Sequence, residues 1–270
     1  MTRDSSRAAW FFAAALSWTW IALAIALISG ASATEPPTSW LRLAAGVGPL
    51  VATAVLLHHD RRLHGERDFW RRLINLEPIG VNWWAIITVA SAGPGVAVWL
   101  LGGQHDFGTT GAGASFGIVA FALAAAFAEE PGWRGYALDR LRDRPLRAAV
   151  LIASVWAIWH LPLYAIDGTF QHDDVGFATA FFWIIQASFL PQTVLMIWIL
   201  DHTRSSILPA IAFHALVNIS GEILDYSTRQ QATRLVIWVA LALAAATRLH
   251  RSEPHRSTSA ALSPASAREA

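Results

Sequence analysis

Three short groups of polar side chains interrupt otherwise apolar stretches of the sequence. Glu129 and Glu130 lie in FAEEPGWRGY, His160 lies in WAIWHLPL, and His214 lies in LPAIAFHALVN. Carboxylates and imidazoles are the side chains that most often transfer protons in catalysis. Ionisable residues within membrane-length apolar segments are functional candidates by default, because their burial is costly. These residue types therefore predict a site that activates water or moves protons.

The first group contains a candidate ion pair beside a proline. Glu130 and Arg134 are four residues apart, so they can meet if the local backbone is helical. Pairing would keep Glu130 ionised and leave Glu129 free to take a proton. Pro131 has no N–H, so it frees the carbonyl of Phe127 and predicts a kink or a new helix start. The alternative is an interfacial ion pair that merely ends a helix.

Each histidine shares a helix face with a residue one turn away. Trp156 and His160 are four residues apart, and so are His214 and Asn218. A His and an Asn side by side can both donate to one oxygen, as an oxyanion hole requires, and one such donor contributes about 2.7–4 kcal/mol. The alternatives are a core histidine at His160 and ordinary interhelical hydrogen bonding at Asn218, worth about 0.6 kcal/mol on average.

The elements that must position these residues are membrane helices. The chain is 54% hydrophobic and only 14% charged, against about 25% charged in soluble domains. No cysteine is present, which excludes disulfides and thiolate metal sites. We predict an all-α polytopic bundle of about eight transmembrane helices. The eight apolar blocks are 8–29, 41–57, 83–101, 114–130, 147–166, 177–200, 205–221 and 231–249.

Arginine distribution predicts the orientation of the chain. All twenty basic residues are arginine, and seventeen of them fall on the side of the membrane that holds the N-terminus. Because positive charge accumulates in cytoplasmic loops, both termini are expected in the cytoplasm and the protein in the cell (inner or plasma) membrane. On this topology Glu129 lies near the inner end of the fourth span. His160 lies two-thirds along the fifth and His214 about midway along the seventh, so proline breaks, tilt and a water-filled cavity must bring them together.

The chain is predicted to form one transmembrane domain over residues 1–250, with a catalytic core at about 114–221. Residues 251–270 are rich in Ser, Ala and Pro and are predicted to be a disordered cytoplasmic tail. Residues 31–33 read Ala-Ser-Ala, like a signal-peptidase site. The apolar stretch before them is longer than the usual h-region of about 7–15 residues, which favours a retained first helix.

The three motifs, in this order, resemble the CPBP family: the CAAX-processing endopeptidases and the related Abi-type bacterial proteins. The family pattern of EExxxR, FxxxH and HxxxN or HxxxB reads here EEPGWR, WAIWH and HALVN. The resemblance covers the core from about 114 to 221. Trp156 stands where the family usually has Phe, a change expected to keep the packing role and to narrow the cavity.

The resemblance implies an intramembrane endopeptidase with a helical fold, a site open toward the cytoplasm and a protein or peptide substrate in the bilayer. No nucleic-acid partner is predicted. By carry-over, Glu129 would be the general base for the attacking water, and His160 would position or polarise that water. His214 and Asn218 would stabilise the oxyanion.

The remaining motif residues and the role of a metal follow from the same resemblance. Glu130 and Arg134 would orient the first motif. The family is commonly called metalloproteases, and Glu129, His160 and His214 could supply the three protein ligands of a catalytic zinc. No HExxH motif is present, and the same three residues can activate water without a metal. Both possibilities stay open, and the metal-free site is preferred.

Two other function classes are compatible with a polytopic bundle. One is a non-proteolytic membrane scaffold or bacteriocin self-immunity protein of the same fold, which has no need of five polar residues inside the membrane. The other is a transporter that uses Glu and His as a proton relay. The lack of internal repeats, and of Asp or Glu in the cores of the other spans, argues against it.

The predicted topology is testable with reporter fusions. Fusions after Gly65 and after Arg144 should report the cytoplasm, and fusions at Gly108 and Asp174 should report the outside. The expectation follows from the positive-inside distribution of arginine over eight spans. A fusion at Asp174 that reports the cytoplasm would show that the number of spans is wrong.

Overall fold

The computed structural model describes residues 3–60, 63–102, 112–224 and 226–262, with the backbone alone described at residues 3, 63–66, 112–115 and 251–262. The loop that holds Gly108 lies outside these ranges. Within them the chain is α-helical, with short 3₁₀ and π segments and no β-strand. The helices are α1 Arg3–Ser29, α2 Thr38–Gly46, α3 Gly48–His59, α4 Leu63–Arg71, α5 Val81–Ser91, α6 Gly93–Leu101, α7 Ala112–Glu130, α8 Leu138–Leu141, α9 Pro145–Trp159, α10 Ala180–His202, α11 Leu208–Ile223 and α12 Thr228–Leu262.

Helices long and apolar enough to cross a membrane dominate the fold. Each of the eight predicted apolar blocks overlaps helical backbone. Four segments in the described ranges qualify as spans on their own, and six do if each of two bent helix pairs counts as one span. The four are Asp4–Ser29, Pro145–Ala165, Ala180–His202 and Thr228–His250. The prediction of an all-α polytopic membrane bundle is confirmed.

The two bent pairs have prolines at their breaks. α2 and α3 meet at 44°, and α5 and α6 meet at 48°. Pro49 lies in the first turn of α3, and Pro94 lies in the first turn of α6. A proline removes a backbone donor and clashes with the preceding turn, so helices bend or restart at such positions. The two breaks lie inside the predicted apolar blocks 41–57 and 83–101.

The fourth predicted span continues well past residue 130, where the sequence pattern placed its end. α7 leads into a π-helical segment, Pro131–Ala137, and then into α8, so thirty consecutive residues are helical. The wider π turn absorbs the missing donor of Pro131 without a break in the helical backbone. All seven residues of the π segment are buried. No new helix starts at Pro131 in this stretch, and Glu129 and Glu130 lie inside a long helix.

Two glycines allow the π segment to pack closely against other helices. A Cβ on Gly132 would lie 2.7 Å from Phe11 Cζ of α1 and 2.9 Å from Pro49 Cβ of α3. A Cβ on Gly135 would lie 2.7 Å from Phe69 Cζ of α4. Contacts this short do not occur between well-packed atoms, so a larger residue would displace its neighbours. The π segment is thereby held against α1, α3 and α4.

Charged side chains assigned by sequence to the cytoplasmic face meet in ion pairs. Asp60, after α3, lies 3.0 Å from Arg7 of α1 and 2.7 Å from Arg140 of α8. Arg72, after α4, lies 2.6 Å from Asp139 of α8. These contacts join elements that the predicted topology places on one side of the membrane. They are compatible with that topology, and the orientation itself stays a prediction.

The two ends of the described chain are both helical. Phe11 in α1 is fully buried, and Thr19 Oγ1 accepts a hydrogen bond of 2.7 Å from Trp159 Nε1 of α9. The first helix is thus part of the bundle interior. At the other end α12 continues to Leu262, through the first twelve residues of the segment predicted to be disordered. The remaining eight residues of that segment lie outside the described ranges, and the domain boundaries stay a prediction.

Candidate active site

Arg134, on the π segment, is a fully buried cation with three neighbours. Its Nη1 donates to Glu130 Oε1 at 3.0 Å, and its Nη2 donates to Thr193 Oγ1 of α10 at 2.9 Å. Its Cζ lies 4.0 Å from the centre of the Trp156 ring, where a cation is attracted to an aromatic face. The pair predicted from the four-residue spacing is present, and it is enclosed by protein rather than exposed at an interface.

Glu130 links the first motif to the third. Its Oε1 also accepts a hydrogen bond of 2.8 Å from Nδ1 of His214 on α11. Both side chains are buried. A buried carboxylate is costly unless it is paired and hydrogen-bonded. Here a guanidinium and an imidazole both bind Oε1, and no partner for Oε2 is found among the described residues. The sequence indicated the contact with Arg134, and it gave no indication of the contact with His214.

Glu129 is held by a single hydrogen bond. Its Oε2 accepts from Trp156 Nε1 at 2.6 Å, and the side chain is 5% exposed. No hydrogen bond to its other oxygen is found among the described residues. A carboxylate has about four acceptor positions, so this side chain keeps the capacity to accept a proton or a hydrogen bond from water.

His160 ends α9 and is half-buried. Its Nδ1 lies 2.8 Å from the backbone carbonyl of Trp156. A carbonyl can only accept, so Nδ1 carries the hydrogen and Nε2 of the neutral ring is an acceptor. Pro162 follows in a 3₁₀ segment, Leu161–Ala165. The proline break expected after this histidine therefore places it at a helix end.

α10 supplies two site neighbours that the sequence pattern did not indicate. Phe189 lies with its ring centre 4.5 Å from that of Trp156 and 5.0 Å from that of His160. Thr193, one turn further on, is the partner of Arg134 and is fully buried. Their four-residue spacing puts them on one helix face. A polar residue within an apolar helix was the available signal at Thr193, whereas Phe189 gave none.

Asn218 lies one turn after His214 on α11 and is half-buried. Among the described residues, no partner is found for its side-chain amide. The ring of His214 lies 5.3 Å from that of Trp156. The three motifs thus meet through contacts of Glu130, Trp156 and His214, and Asn218 lies beside that cluster with free hydrogen-bonding capacity.

A zinc ion bound by Glu129, His160 and His214 together does not fit this arrangement. Zinc bonds to N and O ligands are about 2.0–2.2 Å long, so three ligand atoms must lie within about 4 Å of one another. In the part of the chain that the structure describes, three such atoms come within 4.8 Å in one group only, and that group contains none of these residues. No step proposed below uses a metal.

The group that does meet this distance is exposed and lies away from the motifs. It consists of Asp167, His172 and Asp173, between the 3₁₀ segment and α10. His172 Nδ1 lies 2.6 Å from Asp173 Oδ1, and this hydrogen bond holds the pKa of Asp173 below its usual value. Exposed acidic groups are common without a metal. The cluster gives no independent reason to place an ion there.

Comparison with known proteins gives two related findings. Residues 111–220 match a family model described as type II CAAX prenyl endopeptidase Rce1-like. The chain is also 28% identical, over 193 residues, to CAAX prenyl protease 2 of Methanococcus maripaludis. That alignment covers 66% of this chain and 70% of the relative. The family match covers all three motifs.

The enclosed ion pair predicts a large effect of its removal. Arg134→Ala should lower the free energy of unfolding by about 3–5 kcal/mol, because it leaves a buried carboxylate without its cationic partner. Arg71→Ala is the matched control, since Arg71 pairs with Asp68 at 3.6 Å on the surface, where such pairs contribute about 0–1 kcal/mol. Thermal unfolding in detergent compares the two variants. Equal melting temperatures, together with full activity of Arg134→Ala, would contradict an orienting role for this arginine.

Proposed function

Because the chain belongs to the CPBP family of CAAX-type intramembrane endopeptidases, we propose that it hydrolyses a peptide bond near the C-terminus, or in a membrane-proximal segment, of a protein or peptide substrate. One observation carries the proposal: side chains from three separate motifs are joined by short hydrogen bonds in one buried cluster. The 2.8 Å contact between Glu130 and His214 is central to it. A non-catalytic bundle gains nothing from this costly arrangement.

Glu129 is proposed as the general base. It has one oxygen fixed by Trp156 and a second without a protein partner in the described chain. A water molecule bound to that second oxygen would transfer a proton to it while attacking the substrate carbonyl. His160 supports this step, because its neutral Nε2 can accept a hydrogen bond from the same water. Two acceptors on one water orient its lone pair toward the carbonyl carbon.

His214 and Asn218 are proposed to bind the oxyanion that forms on the substrate. Because Nδ1 of His214 donates to Glu130, its Nε2 carries a hydrogen only when the ring is doubly protonated. Oxyanion binding therefore requires the imidazolium form, whose charge the neighbouring carboxylate offsets. The amide of Asn218 supplies a second donor. Two donors aimed at the developing charge would stabilise the transition state more than the substrate.

The orientation of the enzyme is part of the same proposal. The chain is a membrane protein, and we place it in the cell membrane with both termini in the cytoplasm, on the arginine distribution. The ion pairs of Asp60 with Arg7 and Arg140 support a shared cytoplasmic face for α1, α3 and α8. The substrate would then be a protein or peptide that reaches the site from the cytoplasm or the bilayer.

Glu129→Gln tests the assignment of the base. The substitution should lower cleavage at least 10²-fold, because it removes the proton acceptor. It should leave the melting temperature nearly unchanged, since the amide oxygen can still accept from Trp156. Peptide profiling of membranes that contain wild type or variant measures the cleavage products. Glu77→Gln, an exposed position, is the control, and unchanged products from Glu129→Gln would refute the proposal.

His214 separates a metal-free site from a zinc site. As an oxyanion donor it can be replaced by Gln with measurable residual activity, and Asn218→Ala should lower kcat by a comparable factor, roughly 10²–10³-fold. If His214 is instead a zinc ligand, Gln cannot replace it and activity should vanish. The metal would then be lost from His214→Gln but kept in Asn218→Ala. Elemental analysis measures the bound metal, and an assay after exhaustive chelation measures the activity that remains without it. Stoichiometric zinc in the wild type and none in His214→Gln would overturn the metal-free site.

A further inference from the structure

Trp156 occupies the position at which the CPBP pattern usually has Phe, and it makes a contact that Phe cannot make. Its indole N–H donates to Oε2 of Glu129 at 2.6 Å. We propose that Trp156 is a positioning residue for the catalytic base: its N–H holds one carboxylate oxygen so that the other is presented to the attacking water. This inference rests on the proposed role of Glu129.

The hydrogen bond is short and fully enclosed. Trp156 is 2% exposed and Glu129 is 5% exposed, so bulk water has little access to the hydrogen bond between them. At 2.6 Å the contact is slightly shorter than the usual range of about 2.7–3.2 Å for an N–H···O hydrogen bond. The indole has no second donor. The geometry therefore commits its only polar atom to Glu129.

The indole is itself fixed by its neighbours. The guanidinium of Arg134 lies 4.0 Å from the ring centre, the ring of Phe189 lies 4.5 Å away, and the ring of His214 lies 5.3 Å away. Because the indole is packed on several sides, its N–H stays in place when the Glu129 carboxylate rotates. Glutamate has three side-chain torsions, and one strong bond to a rigid donor restricts them to orientations that keep Oε2 in place.

The same residue also touches the second proposed water-binding group. The backbone carbonyl of Trp156 accepts from Nδ1 of His160, which fixes the ring tautomer. Replacement by Phe keeps this carbonyl and most of the ring packing but removes the N–H. Trp156→Phe therefore isolates the hydrogen bond to Glu129 from the other contacts of the residue. Phe also restores the residue type that the family pattern prefers, which favours folding of the variant.

The first experiment compares kcat and KM of Trp156→Phe with those of a matched control. Trp238→Phe is that control, because Trp238 is 3% exposed, lies outside the three motifs, and donates its N–H to the Ala90 carbonyl at 3.0 Å. Trp156→Phe should lower kcat roughly tenfold or more with KM within about twofold, because misplacement of a reacting group acts on the chemical step. Trp238→Phe should alter stability but neither kinetic constant.

A second measurement does not depend on activity. The fourteen tryptophans are labelled with ¹⁵N at the indole, and spectra of wild type and Glu129→Ala are compared in detergent. One downfield indole N–H signal should move upfield in the variant as its acceptor is lost, and the same signal should be missing from Trp156→Phe. Fourteen unchanged signals, or a kcat of Trp156→Phe equal to wild type, would overturn the positioning role. If Glu129→Gln remains active, the proposed base is wrong instead.

Discussion

The carboxylate of Glu130, shared between Arg134 and His214, is the interaction on which the rest of the site depends. A lone charge in the interior of a membrane bundle is expensive, and an opposite charge with hydrogen bonds offsets part of that cost. Among the described residues, Glu130 Oε2 and Arg134 Nε have no partner. Glu130 Oε1 receives a guanidinium N–H at 3.0 Å and an imidazole N–H at 2.8 Å. The other terminal nitrogen of the guanidinium, Nη2, donates to Thr193 Oγ1. These contacts tie α7, its π-helical continuation, α10 and α11 to one another.

The π-helical segment is the backbone feature that allows this pairing. Pro131 removes a donor in the turn directly after the two carboxylates, and the chain widens to a π turn instead of ending. Gly132 and Gly135 let the widened backbone approach α1, α3 and α4 at distances that any side chain would block. Arg134 lies between these two glycines and is carried into the interior with them. π segments are rare and recur at functional sites. Here the π segment buries the Arg134 guanidinium within hydrogen-bond distance of Glu130.

Much of this could be predicted from the sequence, because it depends on local spacing and apolar runs. The helical class and the Glu130–Arg134 pair follow from residues within one or two turns of each other. The helix end at His160 was not predicted, since the fifth apolar block was expected to continue to residue 166. The predicted end of the helix after Glu130 was wrong, since EEPGWR is polar enough to suggest a boundary although the helical backbone continues through it. The depth of Glu129 in the membrane stays a prediction. The Glu130–His214 bond joins residues on different helices, and Phe189 is one apolar residue among many in α10. No local pattern marks such contacts, because they depend on how the helices pack.

Exposure divides the polar residues into two sets with different consequences. Glu130, Arg134 and Thr193 have no solvent exposure, so water has no access to them and they serve to hold helices together. Glu129, His160 and Asn218 are less completely enclosed. A reacting group must reach water and substrate, whereas a structural ion pair is most stable when it does not. Of two adjacent carboxylates, this difference supports Glu129 as the base and Glu130 as its support. His214 connects the sets, since its Nδ1 contacts Glu130 of the enclosed pair and its remaining nitrogen is the one that the proposed oxyanion role uses.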